Sequence, residues 1–565
     1  MDNTGISFML GSYEPVWADV CEKMKKDNIL LRIWNRDYRV WKPSPAEIVD
    51  RLDWLTAPAE SYAKLDIIRE SLTPFSNGRI DDILLAGMGG SSLCVDVFSH
   101  MFGGMTGFPR MRILDTTDPE VIRDATENLS PERTLFIVSS KSGKTLEITS
   151  LFNYLYQVAG RKPGVAAKDR FLLITDAGSP VLLEAEELRM KHVFSNNPNI
   201  GGRFSALSLV GIVPAMLIGV EVEKLLQRAM AVAEREKTDA AGEHSPGSLL
   251  GAALGTLALQ GRDKLTLVLP PSWKSFGDWL EQLIAESTGK EGKGILPVLN
   301  EPPLDIGIYG NDRSFVFFVK DDVHPDDRIS ALVAAGHPVL KIRIGDDYDL
   351  GAQMFLWEMA TAIAGHVMGI HPFDQPDVEA TKKHTRQRIE EYKNNKEWPR
   401  DTPSFIDGDC EVYSETVSNS VLNALTNFLE SAKAQAYVAL QLYTSPSPEL
   451  DEAVSELRAA ITRRYRLAAT IGCGPRYLHS TGQLHKGDAG GGLFLQITGT
   501  IVSDLSIPDG PDTSESALTF GELKAAQAEA DRQALKEKHR RVLRLHWNRN
   551  PAAGLKRLAS QLQTL

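Results

Sequence analysis

The 565-residue chain has only four cysteines, Cys21, Cys94, Cys410 and Cys473, with no CxxC pair and no histidine at metal-ligand spacing. A disulfide framework and a structural zinc site are thereby excluded, and buried thiols in a reducing cytoplasm are the expectation. Positive charge is also short: 62 Lys and Arg face 74 Asp and Glu, a net charge of -12. Affinity for a phosphodiester backbone needs an excess of clustered cations, so no nucleic acid is expected as a partner. An anionic ligand has to be met by a few local donors rather than by the overall field. No apolar run is long enough for a membrane: Ala206 to Val220 is interrupted by Pro214 and falls short of the ~20 residues of a span. The N-terminus carries acidic residues and no basic stretch before an apolar run, unlike a secretory signal. No low-complexity tract occurs. A soluble, cytoplasmic chain with no membrane partner is expected, long enough for several cores.

What is present is a repeated alternation. Residues 1–78 read as amphipathic helices with no strand signal, for example PAEIVDRLDWL and AESYAKLDIIRESL. Strand candidates then follow at 83–87, 111–115, 134–140 and 171–176, with helical patterns between them. Continuous apolar strands separated by helices predict a parallel sheet covered on both faces. The alternation restarts with strands at 264–270, 313–320 and 338–344 and helices at 275–287, 325–335 and 350–369. The polar stretch 394–409 reads as a linker. Beyond it a third α/β segment runs through AYVALQLYT, LAATIGCG, GLFLQITG and RVLRLHW. The expected units are therefore an N-terminal helical segment (1–78), two α/β domains (79–244 and 245–393), the linker and a C-terminal α/β segment (410–565).

Two loops have the chemistry to hold an anion. Gly87-Met88-Gly89-Gly90-Ser91-Ser92 lies between a strand and a helix, where glycines permit close backbone approach and helix-start N–H groups favour negative charge. A dinucleotide fingerprint would need glycine at Ser92. Ser139-Ser140-Lys141-Ser142-Gly143-Lys144-Thr145 has the same placement and several hydroxyl and ammonium donors, suited to a phosphate dianion. A nucleotide P-loop would need glycine at Val138, and a plain helix cap needs only one such hydroxyl. Loops at the ends of neighbouring strands bring their donors together at the carboxyl edge of one sheet.

Four further segments carry groups for proton chemistry. In Asn199-Ile200-Gly201-Gly202-Arg203-Phe204-Ser205 paired glycines let the Arg203 guanidinium reach a ligand. Glu286 falls in the last turn of a helix that Gly289 ends, a position facing the negative end of the helix dipole. His371 to Lys382 combines a turn with an amide, Gln375, and a lysine, Lys382. Tyr477 to Gly487 holds two histidines, His479 and His485, either of which suits a proton shuttle near neutral pH.

Taken together, GMGGSS, SSKSGKT, NIGGRFS, AESTGK and DQPDVEATKK resemble the phosphoglucose isomerase family from about residue 80 onward. The resemblance implies two sugar-isomerase (SIS) domains, each a three-layer parallel-sheet sandwich, and a reaction that needs no metal or other cofactor. It implies interconversion of glucose 6-phosphate and fructose 6-phosphate through a cis-enediolate, in glycolysis and gluconeogenesis. Residue by residue it implies a phosphate cradle of Gly90, Ser91, Ser92, Ser140, Ser142 and Thr145 with Lys141 nearby, and sugar contact at Gln375. It also implies Arg203 as the enediolate stabiliser, Glu286 as the base, and Lys382 with His479 for ring opening. The histidine motif follows the lysine here, whereas the family places it before; GCGPRYLHSTGQLHKG is similar to the isomerase half of bifunctional transaldolase–isomerase fusions. No barrel-sized N-terminal half precedes it, so transaldolase activity is not expected. Lys144 stands where the family has a hydroxyl. A monomer or a homodimer fits, since the relocated motif can act in cis. Dual action on mannose 6-phosphate, or a sugar-phosphate sensor without catalysis, are the alternatives.

Overall fold

The computed structural model describes residues 5–76, 78–239, 244–321, 326–395 and 402–565. The chain opens on a strand, β1 (Ile6–Met9), before the helices Glu14–Lys26, Ile29–Trp34, Ala57–Ala63 and Leu65–Leu72. The first sheet is built from β2 (Asp82–Gly87), β3 (Arg110–Leu114), β4 (Thr134–Ser140), β5 (Phe171–Asp176) and β6 (His192–Asn196). Its order is β3-β2-β4-β5-β6 and every pairing is parallel. β4 is buried along its whole length, which is why its sequence, TLFIVSS, is an apolar run and not an alternation. In the register of β2 with β4, Gly87 lies opposite Ser139, so the two anion loops leave the same sheet edge side by side.

The second sheet combines β7 (Lys264–Val268), β8 (Leu296–Val298), β9 (Arg313–Lys320) and β10 (Val339–Ile344) in the order β1-β10-β9-β7-β8. β1 is antiparallel to β10; the other pairings are parallel. The N-terminal segment is thus not purely helical: four residues, ISFM, are too few to show a period, and pairing with β10 decides their conformation. PAEIVDRLDWL is not an α-helix either; only its last three residues, Asp53–Leu55, form a 3₁₀ turn. Leu52 bridges to Ile200, and the Asp53 N–H donates to the Asn199 carbonyl at 3.2 Å. Trp54 packs on Phe204 with ring centroids 5.4 Å apart. These tertiary contacts override the helical pattern and brace the loop that carries Arg203.

The third sheet uses β11 (Phe405–Asp407), β12 (Cys410–Tyr413), β13 (Tyr437–Tyr443), β14 (Ala468–Cys473) and β15 (Gly492–Gly499). After the small β16 (Ser506–Ile507) and β17 (Leu518–Thr519) hairpin it is completed by β18 (Arg541–Trp547). Its order is β11-β12-β18-β15-β13-β14, with the β11–β12 and β12–β18 pairings antiparallel and the rest parallel. Residues 396–401 of the expected linker lie outside the described residues, and its end forms β11. The C-terminal unit docks on both others. Phe520, Leu523 and Ala526 join the core of the first sheet, and Tyr437, Ala439 and Phe494 pack with Leu296 and Val298 of β8.

Helix Val222–Thr238 packs on helix Asp349–Met368 and buries Glu236, which accepts the Gly247 N–H at 2.6 Å. Burial pushes this carboxyl up to about 8. An acid with a raised folded-state pKa favours the fold at low pH, and loses that contribution as pH rises from about 4.3 towards the folded value. Glu236→Gln keeps the acceptor and removes the titration. Its Tm relative to wild type is expected to rise between pH 5 and pH 8; parallel Tm profiles across that window would contradict this assignment.

Candidate active site

The catalytic candidates converge on the carboxyl edge of the first sheet, where three units meet. Gly89 has φ +55, and a Cβ there would lie 2.8 Å from the Gln282 amide and 3.0 Å from the His479 carbonyl. A Cβ on Gly90 would sit 2.0 Å from the Gly202 carbonyl. Gly89 and Gly90 of GMGGSS are therefore required for contact between loops, which brings Ser91 beside the Arg203 loop.

Glu286 lies in the final turn of helix Lys274–Thr288, which Gly289 caps as the sequence predicts. One carboxylate oxygen pairs with Arg203 Nη1 at 3.1 Å; the other accepts from Gln282 Nε2 at 3.0 Å. Gln282 Nε2 also donates to the His479 carbonyl at 2.8 Å, tying Glu286 to the histidine loop. Arg203 is 4% exposed and fully engaged. Its Nε donates to Ser287 Oγ at 2.7 Å, Nη1 to Gln375 Oε1 at 3.0 Å, and Nη2 to the carbonyls of Pro372 (2.6 Å) and Asp374 (3.0 Å). Burial draws its pKa down from the ordinary value, while Glu286 and Asp374 oppose the shift.

His479 Nε2 pairs with Glu147 Oε1 at 2.9 Å, across a sequence separation of 332 residues. Glu147 was not singled out in the sequence, although it stands two residues after Thr145 in the SSKSGKTLE run. It also accepts from Gln527 Nε2 at 2.7 Å, and Gln527 in turn accepts from Thr117 at 2.8 Å. Burial works to raise the Glu147 pKa, but the charge and hydrogen bond of His479 outweigh it and hold the carboxyl below its usual value. Lys382 lies close enough to act in the same direction, and its ammonium pairs with Glu379 at 2.7 Å on its own helix. His485, left open by the sequence, is 2% exposed and packed at tilted and edge-on angles among Tyr437, Tyr477 and Phe494. Burial drives its pKa well below that of a free imidazole. Of the two histidines, it is His479 that the fold presents to the site.

In the anion loops, Ser140 Oγ accepts from the Gly143 N–H at 3.2 Å and Ser142 Oγ from the Lys144 N–H at 3.3 Å. Each hydroxyl keeps its own O–H to donate. Thr145 is the N-cap residue of helix Leu146–Gly160 but makes no side-chain cap bond, so its hydroxyl is not consumed by the helix start. Two candidates are used otherwise. Ser92 is wholly buried and donates to the Gly89 carbonyl (3.1 Å) and Asp115 (3.3 Å). Lys141 reaches sideways to Asp176 (2.7 Å) and the Pro198 carbonyl (2.6 Å).

Lys290, four residues beyond Glu286, also escaped notice in the sequence. Its buried ammonium donates to the His371 carbonyl at 2.7 Å and to Asp374 Oδ1 at 2.8 Å, fixing the turn that presents Gln375. Burial first, and then Arg203, pull its pKa down to about 7.

Among the described residues no helix is long and apolar enough to cross a membrane. Residues 66–300 match the family described as phosphoglucose isomerase, a span that ends before Gln375, Lys382 and His479. The glucose-6-phosphate isomerase of Rubrobacter xylanophilus is 30% identical over 358 residues, 54% of this chain and 82% of that protein. That of Campylobacter jejuni is 30% identical over 363 residues, 56% of this chain and 88% of that protein. In fold, a hypothetical protein of Thermus thermophilus superposes with a TM-score of 0.56 at 22% identity, over 68% of this chain and 99% of its own. Both sugar-isomerase-type sheets and an aldose–ketose isomerase activity follow from these relationships, and the chain belongs to the phosphoglucose isomerase family.

Proposed function

We propose that the protein interconverts glucose 6-phosphate and fructose 6-phosphate, the step shared by glycolysis and gluconeogenesis, with a site completed inside one chain. The observation that carries this reading is the contact chain Arg203–Glu286–Gln282–His479–Glu147, which joins all three units. The substrate phosphate docks against the Gly90 backbone and the hydroxyls of Ser91, Ser140, Ser142 and Thr145. His479, oriented by Glu147, transfers the proton between the anomeric hydroxyl and the ring oxygen as the hemiacetal opens, and Lys382 assists from the rim. Glu286 then takes the C2 proton of the aldose, leaving a cis-enediolate whose negative charge develops beside Arg203. The proton on the C2 oxygen shifts across to the C1 oxygen, and the protonated Glu286 returns its proton at C1, so the reaction is proton-neutral. A positioned base contributes ~10²–10⁴-fold and preorganised positive charge a comparable factor.

The test is fructose 6-phosphate turnover coupled to a glucose-6-phosphate dehydrogenase, with and without EDTA and over a dilution series followed by light scattering. Activity indifferent to the chelator, with constant specific activity down to the monomer, is expected. Loss of activity on dilution would show that a second subunit completes the site. Saturable sugar-phosphate binding without turnover would replace the enzyme by a sensor. Turnover of mannose 6-phosphate at a comparable rate would widen the specificity.

A further inference from the structure

Three residues before His479, Arg476 makes an ionic contact that the chemistry above does not use. Both belong to the one-turn helix Arg476–His479, and in a 3₁₀ turn the side chains at i and i+3 eclipse, so the two project along one face. Arg476 Nη2 donates to Asp96 Oδ2 at 2.9 Å, and its Nε lies 3.1 Å from Asp115 Oδ2. Nη2 is also 4.0 Å from Asp278 Oδ2.

These carboxylates come from two units, Asp96 and Asp115 from the first α/β domain and Asp278 from the second. Asp96 is on helix Leu93–Phe102, which leaves the GMGGSS loop; Asp115 follows β3; Asp278 sits on the helix that carries Glu286. One guanidinium thus joins the turn bearing His479 to the phosphate loop's helix and to the base's helix. Nearby, Ser480 Oγ donates to Glu281 at 3.4 Å and His100 Nδ1 faces Asp96 at 3.2 Å, so the cluster extends along both helices. The carboxylates outnumber the cations, and removing Arg476 takes the guanidinium away from two buried neighbours, Asp96 and Asp115. Burial works against the Arg476 charge, but Asp115, Asp96 and Asp278 outweigh it and raise its pKa.

We propose that Arg476 is a positioning residue for ring opening: anchored to Asp96 and Asp115, it fixes the turn from which His479 reaches Glu147. The inference rests on His479 acting in ring opening, as proposed above. A shift of about 1 Å in a positioned group is enough to cost ~10²-fold.

The experiment compares two substrates. Fructose 6-phosphate is mainly cyclic and needs the ring-opening step. A ketose 6-phosphate lacking the C5 hydroxyl cannot cyclise, and its proton exchange at C1 in D2O reports Glu286 alone. Arg476→Met, and separately Asp96→Asn as a milder change outside the histidine loop, are made in the full chain and checked by thermal melting. The expected result is a ~10²-fold fall in fructose 6-phosphate turnover for Arg476→Met and a smaller fall for Asp96→Asn. Open-chain exchange should stay close to the wild-type rate in both. Equal losses on both substrates, in variants that still melt cooperatively, would make Arg476 a structural clamp and overturn the proposal; so would no loss on either. Should Arg476→Met not fold, Asp96→Asn decides by the same comparison. His479→Ala separates the layers: if it leaves the cyclic substrate unaffected or slows both equally, the ring-opening role itself is wrong.

Discussion

Replacing Glu286 with Gln is expected to lower kcat for fructose 6-phosphate by about 10⁴-fold, the upper end of what a positioned base contributes. The amide is isosteric, its oxygen can still accept from Arg203, and the phosphate loops are on another helix start. KM or the dissociation constant for the sugar phosphate should therefore change little, and binding followed calorimetrically separates this result from misfolding. A loss in kcat with ground-state binding intact is the signature of an interaction made only in the transition state. Exchange of the C2 proton with solvent deuterium should vanish in the same proportion. Residual turnover near the wild-type rate would move the base elsewhere, and the two carboxyls within reach of the histidine turn, Glu147 and Glu281, would be the next to test.

The two anion loops were legible because they lie at strand-to-helix junctions, where a short sequence decides both the turn and the donors it exposes. TLFIVSS and RSFVFFVK match β4 and β9 residue for residue, since β4 is buried throughout and β9 over its first six residues, leaving no alternating polar face to blur the pattern. The short elements were not legible. β1, β6 and β8 have three to five residues each, too few for a periodic signal, and their conformations are settled by pairing across long sequence separations. The N-terminal PAEIVDRLDWL misleads for the same reason, because Leu52 and Asp53 find partners at Ile200 and Asn199.

In the site, residue type pointed to Arg203, Glu286 and His479, but no local feature could show which carboxylate would face the histidine. Glu147 reads as a first-turn helix glutamate, common near any helix N-terminus. Only docking of the C-terminal unit brings His479 to it. Ser92 and Lys141 show the converse: their types suit a phosphate, and in the fold Asp115 and Asp176, distant in sequence, hydrogen-bond them.

Arg203→Lys carries the other large expected effect. One ammonium cannot reproduce a planar fork that simultaneously meets Glu286, Gln375, Ser287 and the carbonyls of Pro372 and Asp374. Buried acceptors left without donors cost ~1–3 kcal/mol each, so a lower Tm is expected as well. The catalytic loss should be ~10²–10³-fold in kcat, the range for removing one preorganised donor from a developing oxyanion. The discriminating measurement is the affinity of a planar hydroxamate that mimics the enediolate, against that of fructose 6-phosphate itself. If Arg203 acts on the charge that develops during proton transfer, the mimic loses affinity in proportion to kcat/KM while the substrate loses little. Equal losses for mimic and substrate would assign Arg203 to holding the HPFDQP turn and Gln375 in place, and the stabilising charge would then have to come from Lys290. That buried ammonium already lies against the same turn with its pKa drawn down to about 7. In that case the pH–rate profile would follow the lysine: activity would fall as pH rises through its pKa and the ammonium loses its charge.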